Sequence, residues 1–118
     1  KENFELRTMK SQFVESKLLP DPPKGNIKDI LLYLIRVIKE NFEMKSIGKA
    51  FELARDNLRK IVLHLDCMWE MSKLANLYQR KEPNLGLSQK EKKELIEKIN
   101  SWIESSSSKA IKIGPNYV

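Results

Sequence analysis

His64 and Cys67 are the first residues to weigh for chemistry, because they stand three apart and would be surface neighbours on a helix. A tetrahedral zinc site needs further nitrogen or sulfur ligands, and the chain has no second histidine or cysteine to supply them, so no metal site is expected. A Cys–His catalytic pair needs a base that reaches the thiol and an oxyanion site. No glycine-rich elbow accompanies these two residues, and they read as structural. Helical bundles that hold two metals present Glu-x-x-His pairs, but the residue three before His64 is Ile61. Glu52 with Asp56, and Glu94 with Glu97 or Lys98, have the spacing of exposed helical ion-pair partners rather than of an acid and base. Neither G-x-x-x-x-G-K-[ST] nor G-x-G-x-x-G occurs, so no phosphate-cradling loop and no cofactor is expected. The expectation is a protein that is not an enzyme.

Binding is the alternative to catalysis. The net charge of +6 arises from 22 basic and 16 acidic side chains, an excess that suits nucleic acid, acidic peptides or anionic lipid. Arg59, Lys60, Arg80 and Lys81, with Arg55 and Lys73, are the candidate phosphate contacts, and Lys90, Lys92, Lys93 and Lys98 crowd a later segment. These positions do not share one helical face, acidic residues interrupt them, and no recognition-helix or base-stacking motif is visible. Nucleic-acid binding is therefore the second reading, and a solvated Lys/Glu surface accounts for most of the charge. The first reading is a docking module for a protein or peptide partner, with Phe42, Trp69, Tyr78 and Trp102 as the large contacts, each equally suited to a core.

The elements that would position these residues are helical. From Ser46 to Arg80 nothing after Gly48 breaks a helix, and Ile47, Phe51, Ala54, Leu58, Ile61, Leu65 and Met68 recur in steps of four and three. That stretch predicts one amphipathic helix of roughly 50 Å, spanning the bundle or bending once. Leu63, Trp69, Leu74 and Leu77 widen its apolar arc, which fits several neighbours or a homodimer. Before it, Leu6, Met9 and Phe13 predict a first helix with Asn3 as cap, ending at the stiff joint Pro20–Gly25. Asn26, with Asp29 three residues on, opens a second helix whose stripe is Ile27, Ile30, Leu31, Leu34, Ile35, Ile38 and Phe42. Ser46 is the expected cap of the third, antiparallel to the second. Pro83 closes that helix, and Ser88 and Glu91 form a capping box for a fourth, carrying Leu95, Ile96, Ile99, Trp102 and Ile103. Ser105–Ser108 dissolve the pattern. The predicted fold is thus all-α, a single bundle of about four helices with one long central helix in residues 1–104, followed by a Ser-rich linker and tail in 105–118, where Ile111, Ile113, Tyr117 and Val118 could dock.

One local pattern adds to this reading. Leu58-Arg59-Lys60-Ile61, then Met71-Ser72-Lys73, then Leu77-Tyr78 is similar, without a gap, to part of the integrase-binding domain of lens-epithelium-derived growth factor and of the related N-terminal domains of transcription elongation factors. The resemblance covers about a fifth of the chain. It implies a compact helical bundle that docks disordered peptides, and a nuclear, non-enzymatic adaptor associated with transcription or chromatin. Two features depart from that family. Its helix breaks within this region, whereas Val62–Glu70 contains no breaker, and the proline-rich joint does not match its partner-binding loop. No functional residue carries over. The single cysteine excludes an internal disulfide and favours an intracellular location. No run is long enough to cross a bilayer, so a soluble chain is expected, and the start at Lys1 fits a fragment or processed product.

Overall fold

Among the described residues, four helices form where apolar periodicity, caps and breakers agree. The computed structural model describes residues 11–109 and 111–112. Helix α1 is Ile27–Lys39, α2 Met44–Arg59, α3 Cys67–Gln79 and α4 Gln89–Lys109; the short strands are β1 Ser11–Phe13, β2 Val62–His64, β3 Leu85–Leu87 and β4 Ile111–Lys112. The protein is a small helical bundle. Two antiparallel ladders accompany it, β1 with β3 (Ser11 opposite Leu87) and β2 with β4 (Val62 opposite Lys112).

Local chemistry explains the helix starts. The Asn26 side chain accepts the Asp29 amide at 3.0 Å, satisfying one of the donors left open at the start of α1. Ser88 and Glu91 make the reciprocal box before α4: the Ser88 amide donates to Glu91 at 2.8 Å, and the Glu91 amide donates to Ser88 Oγ at 3.2 Å. Between α1 and α2, Asn41 takes a left-handed backbone (φ 59°), a conformation asparagine tolerates better than most residues and one that ends helices. The Asn57 side chain, near the end of α2, donates to the Pro23 carbonyl just ahead of α1 at 2.8 Å, so these two helices run antiparallel. Gly48 near the start of α2 sits against Ala75 and Gln79 near the end of α3, while Arg55 meets Ser72, so α2 and α3 are antiparallel as well. Ile30, Leu31, Leu34 and Ile38 of α1, Ile47, Phe51 and Leu58 of α2, Met71 of α3 and Ile99 of α4 are fully buried and form one core. Placing this many aliphatic side chains out of water is the main force holding the helices together.

Four expectations are corrected. Ser46–Arg80 is not one rod: α2 ends at Arg59, and β2 and a turn intervene before α3. Val62 and Leu65 are buried while Leu63 and His64 face solvent, and the backbone bonds that a helix would have made are partly replaced by the ladder to β4. Phe13 lies in β1 rather than in a first helix, because pairing with β3 overrides its local periodicity; the expected cap Asn3 and the residues Leu6 and Met9 lie outside the described residues. Ser46 is inside the first turn of α2, which begins at Met44 after Glu43. Ser105–Ser108 continue α4 instead of ending it. Ser105 and Ser106 return their hydroxyls to the Trp102 and Ile103 carbonyls at 3.4 and 3.1 Å, which keeps these side chains from competing for the backbone elsewhere.

The proline-rich joint is a strap. Pro20 and Pro23 offer their carbonyls to Tyr33 Oη (2.7 Å) and Asn57, which fixes the segment along α1 and α2. Upstream, the segment is held by Glu43, which is only 8% exposed. Its carboxylate accepts from Ser16 Oγ at 2.8 Å and from the Asn84 amide at 2.6 Å, and its backbone bridges to Gly86. Asn84, itself left-handed (φ 68°), exchanges backbone and side-chain bonds with Val14.

Candidate functional site

The residues with reactive side chains do not assemble. His64 lies exposed in β2 and bonds Asp66 at 2.9 Å; Cys67 is buried at the start of α3 with its Sγ 3.9 Å from Met71 Sδ. The expectation that they neighbour one another on a helix surface fails because the helix is broken between them. Burial pushes the Cys67 thiol up to about 11, so it is protonated at neutral pH and a poor nucleophile. Among the described residues no group of three or more histidine, cysteine or carboxylate side chains is placed to hold a metal. Glu52 accepts from Gln79 and pairs with Lys49, and Asp56 pairs with Arg55 at 3.1 Å, which makes both carboxylates part of surface networks. A shallow cleft of about 540 Å³ between the end of α1 and the start of α4 is lined by Lys39, Lys92, Lys93 and Glu97. Its Lys92 is already directed to Asn41.

The aromatic candidates separate sharply. Phe42 is core, covered by the Lys17 ammonium 4.5 Å from its ring centre. Trp102 and Tyr78 both pack on Phe51, with ring centres 6.4 Å away in each case, and Trp102 meets it edge-on at 75°. Tyr78 is half-buried and its hydroxyl is pushed up from the usual range by burial and then by Glu91 and Glu94. These three rings stabilise the bundle. Trp69 differs, being 72% exposed.

The geometry of α3 explains why. Cys67, Met71 and Ala75 face the core. One flank of the helix is tied to α2, where Arg55 Nη1 donates to Ser72 at 2.9 Å and Gln79 Nε2 to Glu52 at 3.0 Å. The opposite flank is tied to α4 by the Lys98–Glu70 ion pair. At 3.6 residues per turn, Trp69, Lys73, Leu77 and Arg80 fall on the side away from the core, and all four are exposed. The Lys73 ammonium stands 5.1 Å from the Trp69 ring centre, a cation–π contact that orders the indole without covering it from solvent. Leu77 is 47% exposed, and Leu63, on the strand just before α3, is 68% exposed. The expected phosphate contacts divide between two helix ends: Arg59 and Lys60 at the end of α2, exposed, and Arg80 with half-buried Lys81 at the end of α3.

From the sequence, Lys73 is a possible phosphate contact and Leu63 and Leu77 belong to a widened apolar arc, but nothing there groups them with Trp69 on one outward face. For Lys73 and Leu77 the signal is the 69–73–77–80 spacing, which shows only when α3 is treated as a helix separate from α2. No helix among the described residues is long and apolar enough to cross a membrane. Searches with this chain match no protein family, no curated protein and no solved structure, so the reading of this surface stands on its own geometry.

Proposed function

We propose that this protein is a non-enzymatic docking module of an intracellular protein, and that a short segment of another protein lies along the outward face of α3. The observation that carries the reading is Trp69. A tryptophan holds more apolar area than any other side chain, and exposing 72% of it on a rigid helix is unfavourable unless a partner covers it. Leu63 and Leu77 extend the apolar surface around it, and Lys73 holds the ring ready. A free, buried thiol suits a reducing compartment. The resemblance to transcription-associated docking domains points the same way and extends the proposal to the nucleus.

The second reading, a nucleic-acid surface, draws on exposed Arg59, Lys60 and Arg80. It is weaker here because Lys73 already occupies one face of the indole on which a base would stack. A photoreactive amino acid placed at exposed position 76, on the same outward side of α3 as Trp69, compared with the same group at exposed position 28, tests both. Protein adducts specific to position 76 are the expected result. Nucleic-acid adducts at 76 without protein adducts would refute docking in favour of the second reading.

A further inference from the structure

We infer that the segment received by α3 is acidic, with carboxylates flanking an apolar anchor that covers Trp69. The inference rests on the docking reading above and specifies its partner. The antiparallel register of α2 and α3 is fixed by Gly48 against Gln79 and Ala75, and by Arg55 against Ser72. One turn beyond Arg55, Arg59 therefore falls at the level of Met68 and Trp69, with Lys60 following it, and both are exposed. Lys73 on α3, and Arg80 at its C-terminal cap, lie on the outward side with Trp69.

The carboxylates of the same region are already engaged. Asp56 is paired with Arg55, Glu70 with Lys98, and Glu52 with Lys49 and Gln79. The exceptions are Glu82, beyond the end of α3, and Asp66, which hydrogen-bonds His64 but is charge-paired only when that ring is protonated; these two stand against the four cations Arg59, Lys60, Lys73 and Arg80. Among the described residues, none of Arg59, Lys60, Lys73 and Arg80 forms an ion pair. The surface around the exposed tryptophan is thus apolar at its centre and uncompensated in positive charge at its rim. Such a rim steers oppositely charged partners and rejects basic ones.

Selection of random dodecamer peptides on the intact chain, with counter-selection on Trp69→Ala, tests the inference. Because Trp69 contributes little to the core, the variant is expected to keep the parent circular dichroism spectrum, which is measured first. The expected peptides carry Asp and Glu around an aromatic or leucine, and bind about tenfold or more weakly at high salt and to Lys73→Glu or Arg59→Glu. Enriched peptides that are neutral or basic would overturn the acidic assignment and leave the docking face intact. No enrichment over Trp69→Ala, with a random single-stranded oligonucleotide pool retained instead, would overturn both.

Discussion

Removing the Glu43 carboxylate should loosen the N-terminal strap and cost more than its peripheral position suggests. The side chain is 8% exposed and accepts two hydrogen bonds, from Ser16 Oγ at 2.8 Å and from the Asn84 amide at 2.6 Å. In Glu43→Ala the hydroxyl of exposed Ser16 can turn to water, but the half-buried Asn84 amide loses a charged acceptor, at about 1.5–3 kcal/mol. The void left by the missing side chain adds roughly 1 kcal/mol. The expected loss is therefore about 2.5–4 kcal/mol. Glu43→Gln keeps a carbonyl oxygen for Asn84 and offers its amide to Ser16, so it should lose about 1 kcal/mol or less. Ser16→Ala should lose under about 0.5 kcal/mol. Urea unfolding of the four proteins gives the midpoints, and limited proteolysis within residues 14–24 reports the strap itself. A loss below about 0.5 kcal/mol for Glu43→Ala, or equal losses for Ala and Gln, would refute the reasoning.

Three further outcomes follow from the packing. Gly48→Ala places a Cβ 2.8 Å from the Gln79 nitrogen and 3.0 Å from the Ala75 oxygen, both backbone atoms, so α2 and α3 must part; a net loss of about 1–2 kcal/mol is expected despite the better helix propensity of alanine, and a raised Tm would contradict it. Trp102→Ala should cost about 3–5 kcal/mol and Trp69→Ala under about 1 kcal/mol in thermal or urea unfolding, the difference between a core ring and a surface one. Cys67, raised from 9.0 to about 11, stabilises the fold fully below pH 9 and loses that contribution as pH rises through about 11; Cys67→Ala should flatten this part of the stability profile, and the native thiol should resist a thiol reagent until the protein unfolds.

How far the sequence carried depended on whether the signal was local. Asn26 with Asp29, and Ser88 with Glu91, are caps made within one helical turn, and both appear as expected. The stripe of α1 likewise needs only its own periodicity, and its buried face is the expected one. The break between Arg59 and Cys67 has no glycine or proline to announce it; it is made by a strand partner some fifty residues away in the chain, at Ile111 and Lys112. Phe13 is in a strand for the same reason, since β3 supplies what its neighbours do not. At the candidate surface, Trp69 was visible as a contact, but its distinction from Trp102, Tyr78 and Phe42 was not. All four are aromatic residues in apolar stretches, and only the packing of Phe51 between Tyr78 and Trp102 removes those two from the surface.

The two ladders also dictate an order of events during synthesis. Antiparallel α1 and α2 can pair as soon as both have left the ribosome, but β1 has no strand partner until Leu85–Leu87 emerges, and β2 waits for Ile111–Lys112, after α1 to α4 have been made. A nascent chain stalled in between exposes the unpaired edge of β1, beside a Phe13 that is 75% exposed even in the finished fold, and unpaired edges are what chaperones bind and neighbouring chains stick to. Completion of this small bundle is therefore expected to be slower than its helical content implies, because its closing contacts are distant in the chain.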